Sequence, residues 1–108
     1  MNRSGHRYLL VKLLTKDPPS AQTVADTINS SVEQMFGKFG SAEMKVRLIG
    51  LDPAGEKAVV RCALGSVQRL RGALATIVRV NGQPAGAMVV RSAGTIKGLD
   101  IRMQRRQR

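Results

Sequence analysis

Arginine and lysine side chains that could bind phosphate are concentrated toward the C-terminus of this chain. The 108 residues include 18 Lys and Arg against 7 Asp and Glu, for a formal net charge of +11. Residues 65–108 alone carry nine basic side chains and one acidic one, and eight of the nine are arginines. A guanidinium pairs with phosphate through two parallel hydrogen bonds, which an ammonium cannot do. This one-sided charge predicts a polyanionic partner, since surfaces kept basic only for solubility usually mix both signs.

The candidate phosphate-binding side chains are those that fall outside the predicted apolar stripes. Several belong to a basic C-terminal segment, residues 97–108, in which five positive charges are opposed by Asp100 alone. A solvated tail is the alternative interpretation, but like charges repel, and such a segment gains order only against an anion. The predicted primary contacts are Arg69, Arg71, Arg79, Lys97, Arg102, Arg105 and Arg106, and the predicted secondary contacts are Arg3 and Arg7.

Aromatic side chains that could stack on nucleic-acid bases are scarce, since the chain contains only Tyr8, Phe36 and Phe39. RNA-recognition domains stack bases on aromatic residues of two central strands. The predicted strand 57–64 contains no aromatic residue, and Tyr8 alone is more typical of packing or of an interface. What remains is recognition of folded RNA by its shape and its phosphates. The cations named above are therefore predicted to bind RNA without reading its bases.

Residues for side-chain catalysis or metal binding are few and scattered. The one histidine, His6, lies in a predicted N-terminal arm, so no Ser/His/Asp arrangement can be built around it. The seven carboxylates fall in turns and on exposed faces, whereas a metal site needs several convergent ligands. The lone Cys62 excludes an internal disulfide and has the apolar neighbours of a buried thiol. The chain is therefore predicted to be non-catalytic, with no cofactor or metal of its own.

Gly94 and Thr95 form a predicted backbone site for phosphate. They lie where the last predicted strand passes into a short C-terminal helix, and a helix N-terminus presents free N–H groups that attract anions. Glycine followed by a threonine cap is also ordinary turn chemistry. The pair is therefore a candidate phosphate turn, and a simple helix cap is the alternative.

Residues 7–14, RYLLVKLL, are predicted to form the central strand on which the rest of the fold is built. Alternation sends Leu9, Val11 and Leu13 to one face, and the opposite face is also largely apolar. An amphipathic helix, capped by serine and ended by glycine, follows within residues 20–40.

The remaining elements complete a β-α-β-β-α-β order. Alternating runs at 43–51 and 57–64 flank an Asp-Pro-Ala-Gly turn and predict a hairpin. A second helix opens at Ser66, and Asn81-Gly82 is predicted to break it before a last strand at 86–92. The predicted fold is an α+β, ferredoxin-like or RRM-like sandwich: two helices cover one face of a four-stranded antiparallel sheet whose first and third strands are central. The predicted domains are a flexible basic arm at 1–6, the ferredoxin-like domain at 7–96, and a basic extension at 97–108 that forms a short helix or tail.

The sheet face away from the helices carries apolar residues that a lone monomer would expose: Tyr8, Leu10, Leu14 and Val59. An apolar strip on an uncovered sheet indicates a protein partner or a self-contact. We predict a protein interface there, and coverage by the C-terminal segment is the alternative.

Chain length and hydropathy indicate one globular domain. Hydrophobic residues make up 43% of the chain, enough for a single core at this length. No apolar run approaches the ~20 residues that span a bilayer, and the N-terminus lacks the hydrophobic region of a secretory signal. A cytoplasmic location is therefore expected.

Four short motifs, taken in order, resemble a known family. They are His6-Arg7-Tyr8-Leu9-Leu10-Val11 opening the first strand, Phe39-Gly40 after the first helix, Val60-Arg61-Cys62 in the third strand and Gly94-Thr95-Ile96-Lys97 after the fourth. At these spacings, from about Gly5 to Met103, they are similar to the small conserved protein subunit of archaeal and eukaryotic ribonuclease P, called component 2 in archaea. The compact length and the lack of an acidic tail resemble the archaeal members. Two residues depart from the pattern: Ala93 stands where serine or glycine is expected, and Gly98 weakens the helix that should follow.

The resemblance implies an RRM-like or ferredoxin-like fold and a role in removing 5′ leaders from precursor tRNA. In that family the RNA subunit, with bound magnesium, performs the cleavage. The protein supports the catalytic domain of the RNA and pairs with a TIM-barrel-like partner, component 3. It can also self-associate, as a homodimer within a heterotetramer. The implied partners of this chain are therefore ribonuclease P RNA, precursor tRNA and component 3, with magnesium held by the RNA.

Three other functions fit the residues alone. A ribosomal or ribosome-assembly RNA-binding protein of the same fold would share every charge argument. A regulatory oligomerisation domain could instead bind a small anion through the Gly94 turn, and it would show no RNA affinity at moderate salt. A small phosphate hydrolase would need activity from the chain alone.

Overall fold

The computed structural model describes residues 5–99. The elements are β1 His6–Thr15, α1 Ala21–Met44, β2 Arg47–Leu51, β3 Lys57–Ala63, α2 Val67–Ala75, β4 Arg79–Val80 and β5 Gln83–Ala93, with short 3₁₀ helices at Leu64–Ser66 and Lys97–Leu99. The strands follow the order β2-β3-β1-β5-β4 in one sheet, and every neighbouring pair is antiparallel. β1 and β3 are interior strands as predicted, and the α+β sandwich is confirmed.

Both helices pack on one face of the sheet and enclose the main core. Leu9 and Val11 of β1 and Val60 of β3 have no exposed surface there. Leu13, at the end of the same alternation, is partly buried against this core. The face predicted for β1 is therefore the face that the helices cover. The buried helical members of the core are Val24, Ile28, Val32 and Met44 of α1 and Leu70, Ala73 and Leu74 of α2.

The first helix begins as predicted but extends further. Ser20 caps it, because Ser20 Oγ accepts a hydrogen bond from the Thr23 N–H at 3.1 Å. Gly37, at φ 74° and ψ 178°, interrupts the helical backbone, which then resumes as far as Met44. The predicted strand start at residue 43 is therefore wrong, since Met44 is helical and fully buried in the main core. Lys45, in the left-handed conformation, ends the helix, and β2 follows.

The sheet has one strand more than predicted. Asn81 and Gly82 both have positive φ, at 54° and 75°, and they turn a tight hairpin between β4 and the start of β5. Asn-Gly is the dipeptide that such a two-residue turn favours. The prediction that Asn81-Gly82 breaks the second helix is wrong, because α2 already ends at Ala75, where the Thr76 N–H bonds the Ala73 carbonyl at 3.1 Å.

Candidate nucleic-acid interface

The structure places the predicted RNA-binding side chains in separate parts of the molecule. Arg69 and Arg71 lie at exposed positions of α2, in the helical layer, and Arg79 lies on the short edge strand β4. Arg7 is half-buried on β1, on the helix-facing side, and Lys97 is exposed in the C-terminal 3₁₀ helix. These described members therefore do not share one face of the fold. The remaining predicted contacts lie outside the described residues: Arg3, Arg102, Arg105 and Arg106.

Weak intramolecular contacts engage Arg69 and Arg79. Arg69 Nη2 donates to Ser66 Oγ at 3.3 Å, and Arg69 Nη1 lies 3.9 Å from Glu43 Oε1. Arg79 Nη1 donates to the Gly82 carbonyl oxygen at 3.1 Å. Exposed contacts of this kind contribute little to stability. Since a guanidinium has five N–H donors, both side chains keep donors for an anion.

The Gly94–Thr95 turn caps its own short helix. Thr95 Oγ1 accepts a hydrogen bond from the Gly98 N–H at 3.0 Å, so this N–H already has a partner. A Cβ added at Gly98 would stand 3.0 Å from the Ala93 Cβ and 3.2 Å from Thr95 Oγ1. The two residues that depart from the family pattern thus lie against each other. This geometry favours the helix-cap interpretation, and the phosphate role of the turn stays a prediction.

Leu99, which ends the 3₁₀ helix Lys97–Leu99, covers the centre of the sheet face that lies away from the helices, which we call the outer face. Leu99 is fully buried and packs with Leu10 and Val59, whose exposed fractions are 4% and 0%. The prediction that a monomer would expose Leu10 and Val59 is wrong, because the chain supplies its own cover for the strip that the helices cannot reach. Tyr8 is half-buried beside this cluster, and Leu14 remains 48% exposed.

A bulge brings Arg91 of β5 to the outer face. The register between β1 and β5 shifts by one residue between Leu10 and Val11: Leu10 pairs with Arg91, whereas Val11 pairs with Val89. One residue of β5 is left over, and this reverses the direction of the side chains beyond it. Simple alternation predicts that Arg91 shares the helix-facing side with Val89, which is wrong for this reason. Arg91 Nη1 instead donates to the Leu99 carbonyl oxygen at 3.0 Å and holds the covering segment.

Cationic side chains flank the covered centre on two sides. Lys12 of β1 pairs directly with Lys57 of β3, and Arg47 of β2 pairs directly with Arg61 of β3. All four alternate with core-facing residues, so they lie on the outer face. None of them is among the predicted site residues. The alternation is visible in the sequence, but only the strand register brings these side chains together.

Comparison with known proteins identifies the family. A model of the Rpp14/Pop5 family matches residues 7–104. The chain belongs to the Rpp14/Pop5 family. Its relatives include ribonuclease P protein component 2 of Methanosarcina acetivorans, which is 32% identical over 88% of this chain and 70% of the relative. The same component of Methanocorpusculum labreanum is 34% identical, over 90% of this chain and 65% of the relative.

A further archaeal relative and a solved structure agree with this family assignment. Ribonuclease P protein component 2 of Pyrococcus horikoshii is 30% identical, over 90% of this chain and 81% of the relative. A chain in the cryo-EM structure of yeast ribonuclease MRP superposes with a TM-score of 0.67 at 13% identity, over 88% of this chain and 78% of that chain. At that identity the superposition shows a shared fold. The resemblance in the sequence motifs is therefore confirmed.

Three of the four motifs that resemble the Rpp14/Pop5 family meet at Arg7. Arg7 pairs with Cys62 of β3, and its Nη2 donates to Ser92 Oγ at 3.4 Å. A Cβ on Gly94 would lie 3.6 Å from Arg7 Nη1, so the last motif also lies beside this guanidinium. The fourth motif, Phe39-Gly40, does not follow the first helix as predicted but belongs to its continuation beyond the kink.

Few of the described residues offer a reactive thiol or ligands for a metal ion. Cys62 is buried, as predicted, and burial raises the pKa of its thiol, while the nearby Arg7 guanidinium opposes that rise. Within residues 5–99, no cluster of three His, Cys, Asp or Glu side chains could hold a metal ion. In the same range, the helices are too short or too polar to cross a membrane.

Proposed function

We infer that this chain is a protein subunit of ribonuclease P, the ribonucleoprotein endonuclease that removes 5′ leaders from precursor tRNA. The observation that carries this inference is the match of the Rpp14/Pop5 family model to residues 7–104. Archaeal relatives named ribonuclease P protein component 2 support it. In such an enzyme the RNA subunit performs the cleavage, and this chain, with its net charge of +11, binds and supports that RNA.

The proposed RNA contacts act by neutralising phosphate charge. In the described part of the chain they are Arg69 and Arg71 on α2, Arg79 on β4, Lys97, and Arg7 as a secondary contact; the rest are Arg3, Arg102, Arg105 and Arg106. Replacing Arg102, Arg105 and Arg106 together by Ala should lower RNA affinity and flatten its salt dependence, since each lost phosphate contact reduces the slope by ~0.7 to 0.9. A slope that stays unchanged in the triple variant would count against the C-terminal segment as a contact site.

The proposed partners are ribonuclease P RNA, precursor tRNA and the TIM-barrel-like component 3, with a homodimer of this chain inside a heterotetramer. Tyr8 and Leu14 retain exposed surface for a protein contact, whereas Leu10 and Val59 are covered by Leu99. We propose that the chain holds no cofactor, that magnesium is bound by the RNA subunit, and that the assembly is cytoplasmic.

Omission of the chain from a reconstituted leader-cleavage reaction tests the proposed function. The RNA subunit and the other protein subunits from the same organism are combined with and without this chain, at low and at high magnesium. We expect cleavage at low magnesium to require the chain. High magnesium should restore part of the cleavage activity when the chain is omitted, because magnesium ions then screen the RNA charge in place of the protein. A ribosomal protein of the same fold would leave cleavage unchanged at every magnesium concentration, and that result would contradict the proposal.

A further inference from the structure

Two pairs of like charges face each other across the strands of the outer face. Lys12 lies directly opposite Lys57, and Arg47 lies directly opposite Arg61. Directly opposite residues on one face of an antiparallel pair have Cβ atoms about 4.5–5.5 Å apart, and like charges on two such side chains destabilise the sheet. Repulsion of this kind is relieved when an anion binds between the two cations.

Carboxylates of the described residues do not neutralise these pairs. The ion pairs within residues 5–99 join Lys38 to Glu33 and Arg69 to Glu43, away from the outer face. Asp52, in the turn that leads into β3, accepts backbone N–H bonds from Glu56 and Lys57 and forms no ion pair within that range.

Arg61 adds an independent sign that the outer face suits an anion. Its Nε is buried, and this N–H has no hydrogen-bond acceptor. Leaving a buried charged donor unsatisfied costs free energy. A phosphate held by the outer N–H groups of Arg61 and Arg47 would draw the guanidinium outward and offset that cost.

The spacing of the two pairs requires an extended polyanion. Lys57 and Arg61 are both on β3 and are separated by four residues, which corresponds to ~13 Å along a strand. One phosphate cannot contact both pairs. The apolar centre between them is already covered by Leu99. The apolar side chains that stay exposed on this face, Leu14 and Met88, lie beyond and beside Lys12 rather than between the two pairs.

We propose that the outer face binds the sugar–phosphate backbone of RNA, with one phosphate held between Lys12 and Lys57 and a second, several nucleotides away, held between Arg47 and Arg61. The proposal rests on the proposed function and adds to it a defined surface and a sequence-independent mode of contact. Leu99 and Arg91 are positioning residues, because they close the apolar centre between the two phosphate sites. Tyr8 is half-buried next to Arg61, so base stacking is not part of this contact.

A double substitution, Lys12→Gln with Lys57→Gln, tests the proposal. The matched control is Lys38→Gln with Lys45→Asn, which removes two exposed positive charges from α1 and its C-terminal turn; asparagine suits the left-handed conformation of residue 45. Binding of full-length protein to a fluorescently labelled transfer RNA is measured between about 50 and 200 mM KCl. We expect the outer-face variant to lose on the order of tenfold in affinity, and its salt slope to fall by about one because one phosphate contact is lost, whereas the control changes affinity by less than about threefold.

Two further measurements separate this proposal from its competitors. Without RNA and at low salt, the thermal midpoint of the Lys12→Gln, Lys57→Gln variant should equal or exceed that of the wild type, because a repulsion has been removed. A lowered midpoint would mean that the lysines support the fold, and the proposal would be overturned. Polyglutamate of matched charge should displace the RNA poorly; displacement equal to that by unlabelled RNA would assign the face to an acidic protein and overturn it as well.

The outcome for this face is distinguishable from the outcome for the proposed function. If the wild type binds RNA with a steep salt dependence and the outer-face variant binds equally well, the outer face is not the contact and the subunit role stands. If the wild type fails both to bind RNA and to support leader cleavage, the subunit role itself fails.

Discussion

The helix-covered face and the outer face of the sheet bury apolar residues by different means. On the helix side, α1 and α2 cover Leu9, Val11 and Val60 with two packed layers of side chains. Within residues 5–99, the buried centre of the outer side consists of Leu10 and Val59, and Leu99 covers it. The first face is closed by secondary structure, and the second is closed by a short segment that follows the last strand.

This difference indicates how the same strands serve two purposes. The extensive helix-side core provides most of the free energy of folding, since that free energy grows with the apolar area removed from water. The outer face needs only a small core, so its margins can hold Lys12, Lys57, Arg47 and Arg61. The fold tolerates the repulsion between these cations because the helix-side core provides enough free energy of folding to offset it.

The largest expected effect comes from a truncation on the helix side. Leu9→Ala should lower the free energy of unfolding by about 3–4 kcal/mol, because it leaves a cavity between packed layers. Urea unfolding followed by circular dichroism measures this change. Leu14→Ala, at a position 48% exposed, is the control on the same strand and should cost less than about 1 kcal/mol. Equal costs for the two substitutions would contradict the asymmetry of the faces.

A truncation of the outer cover should have a smaller effect. Leu99→Ala should cost about 2 kcal/mol, because the buried cluster around it is small and the segment can collapse toward Leu10 and Val59. The variant should also bind a hydrophobic dye more strongly than Leu9→Ala does at equal folded fraction. Ile96→Ala, at 37% exposed, serves as the control in the same segment. If dye binding does not rise, Leu99 is not the cover of this face.

A substitution at the turn that places this cover should have a smaller effect still. Gly98→Ala puts a Cβ 3.0 Å from the Ala93 Cβ, and Ala93 belongs to a paired strand that cannot easily move. We expect a loss of about 1 kcal/mol in the free energy of unfolding. Gly65→Ala, where an added Cβ meets nothing within 4 Å, is the matched control and should be nearly neutral. Stabilisation by Gly98→Ala would show that the turn yields to accommodate the new methyl group.

The smallest expected effect is a pH dependence that belongs to the helix side of β3. The pKa of Cys62 is raised in the folded state by burial, whereas the unfolded thiol has its ordinary pKa of about 8.5. Stability is therefore unaffected below that pH and falls as pH rises above it, by less than about 1 kcal/mol at pH 9. Denaturant unfolding at pH 7, 8 and 9 should show this decline in the wild type, and Cys62→Ala should show less of it. An equal decline in both proteins would assign the pH dependence to other groups.

Much of the fold could be predicted from local patterns in the sequence. Apolar alternation around Leu9 and Val11 identified a central strand and its core face, and helical spacing after Ser20 identified α1. Such patterns depend on periods of two and 3.6 residues, which are read within one segment. The family motifs and the concentration of arginine are also properties of the chain taken in order, and they predicted the Rpp14/Pop5 membership and a polyanionic partner.

The tertiary structure determined how these strands and helices pair and pack with one another. The bulge that turns Arg91 outward and the packing of Leu99 on Leu10 depend on contacts between distant segments. The Asn81-Gly82 hairpin is different, because it joins neighbouring residues and carries a local sequence signal that the prediction of a helix break missed. A shift of one residue in a strand register moves a side chain to the other face, and local sequence does not specify where such a shift occurs. For the same reason the outer-face cations could be recognised singly but not as facing pairs. The sequence by itself determined which segments are strands and helices, while register and coverage, which come from long-range packing, determined which charges face one another.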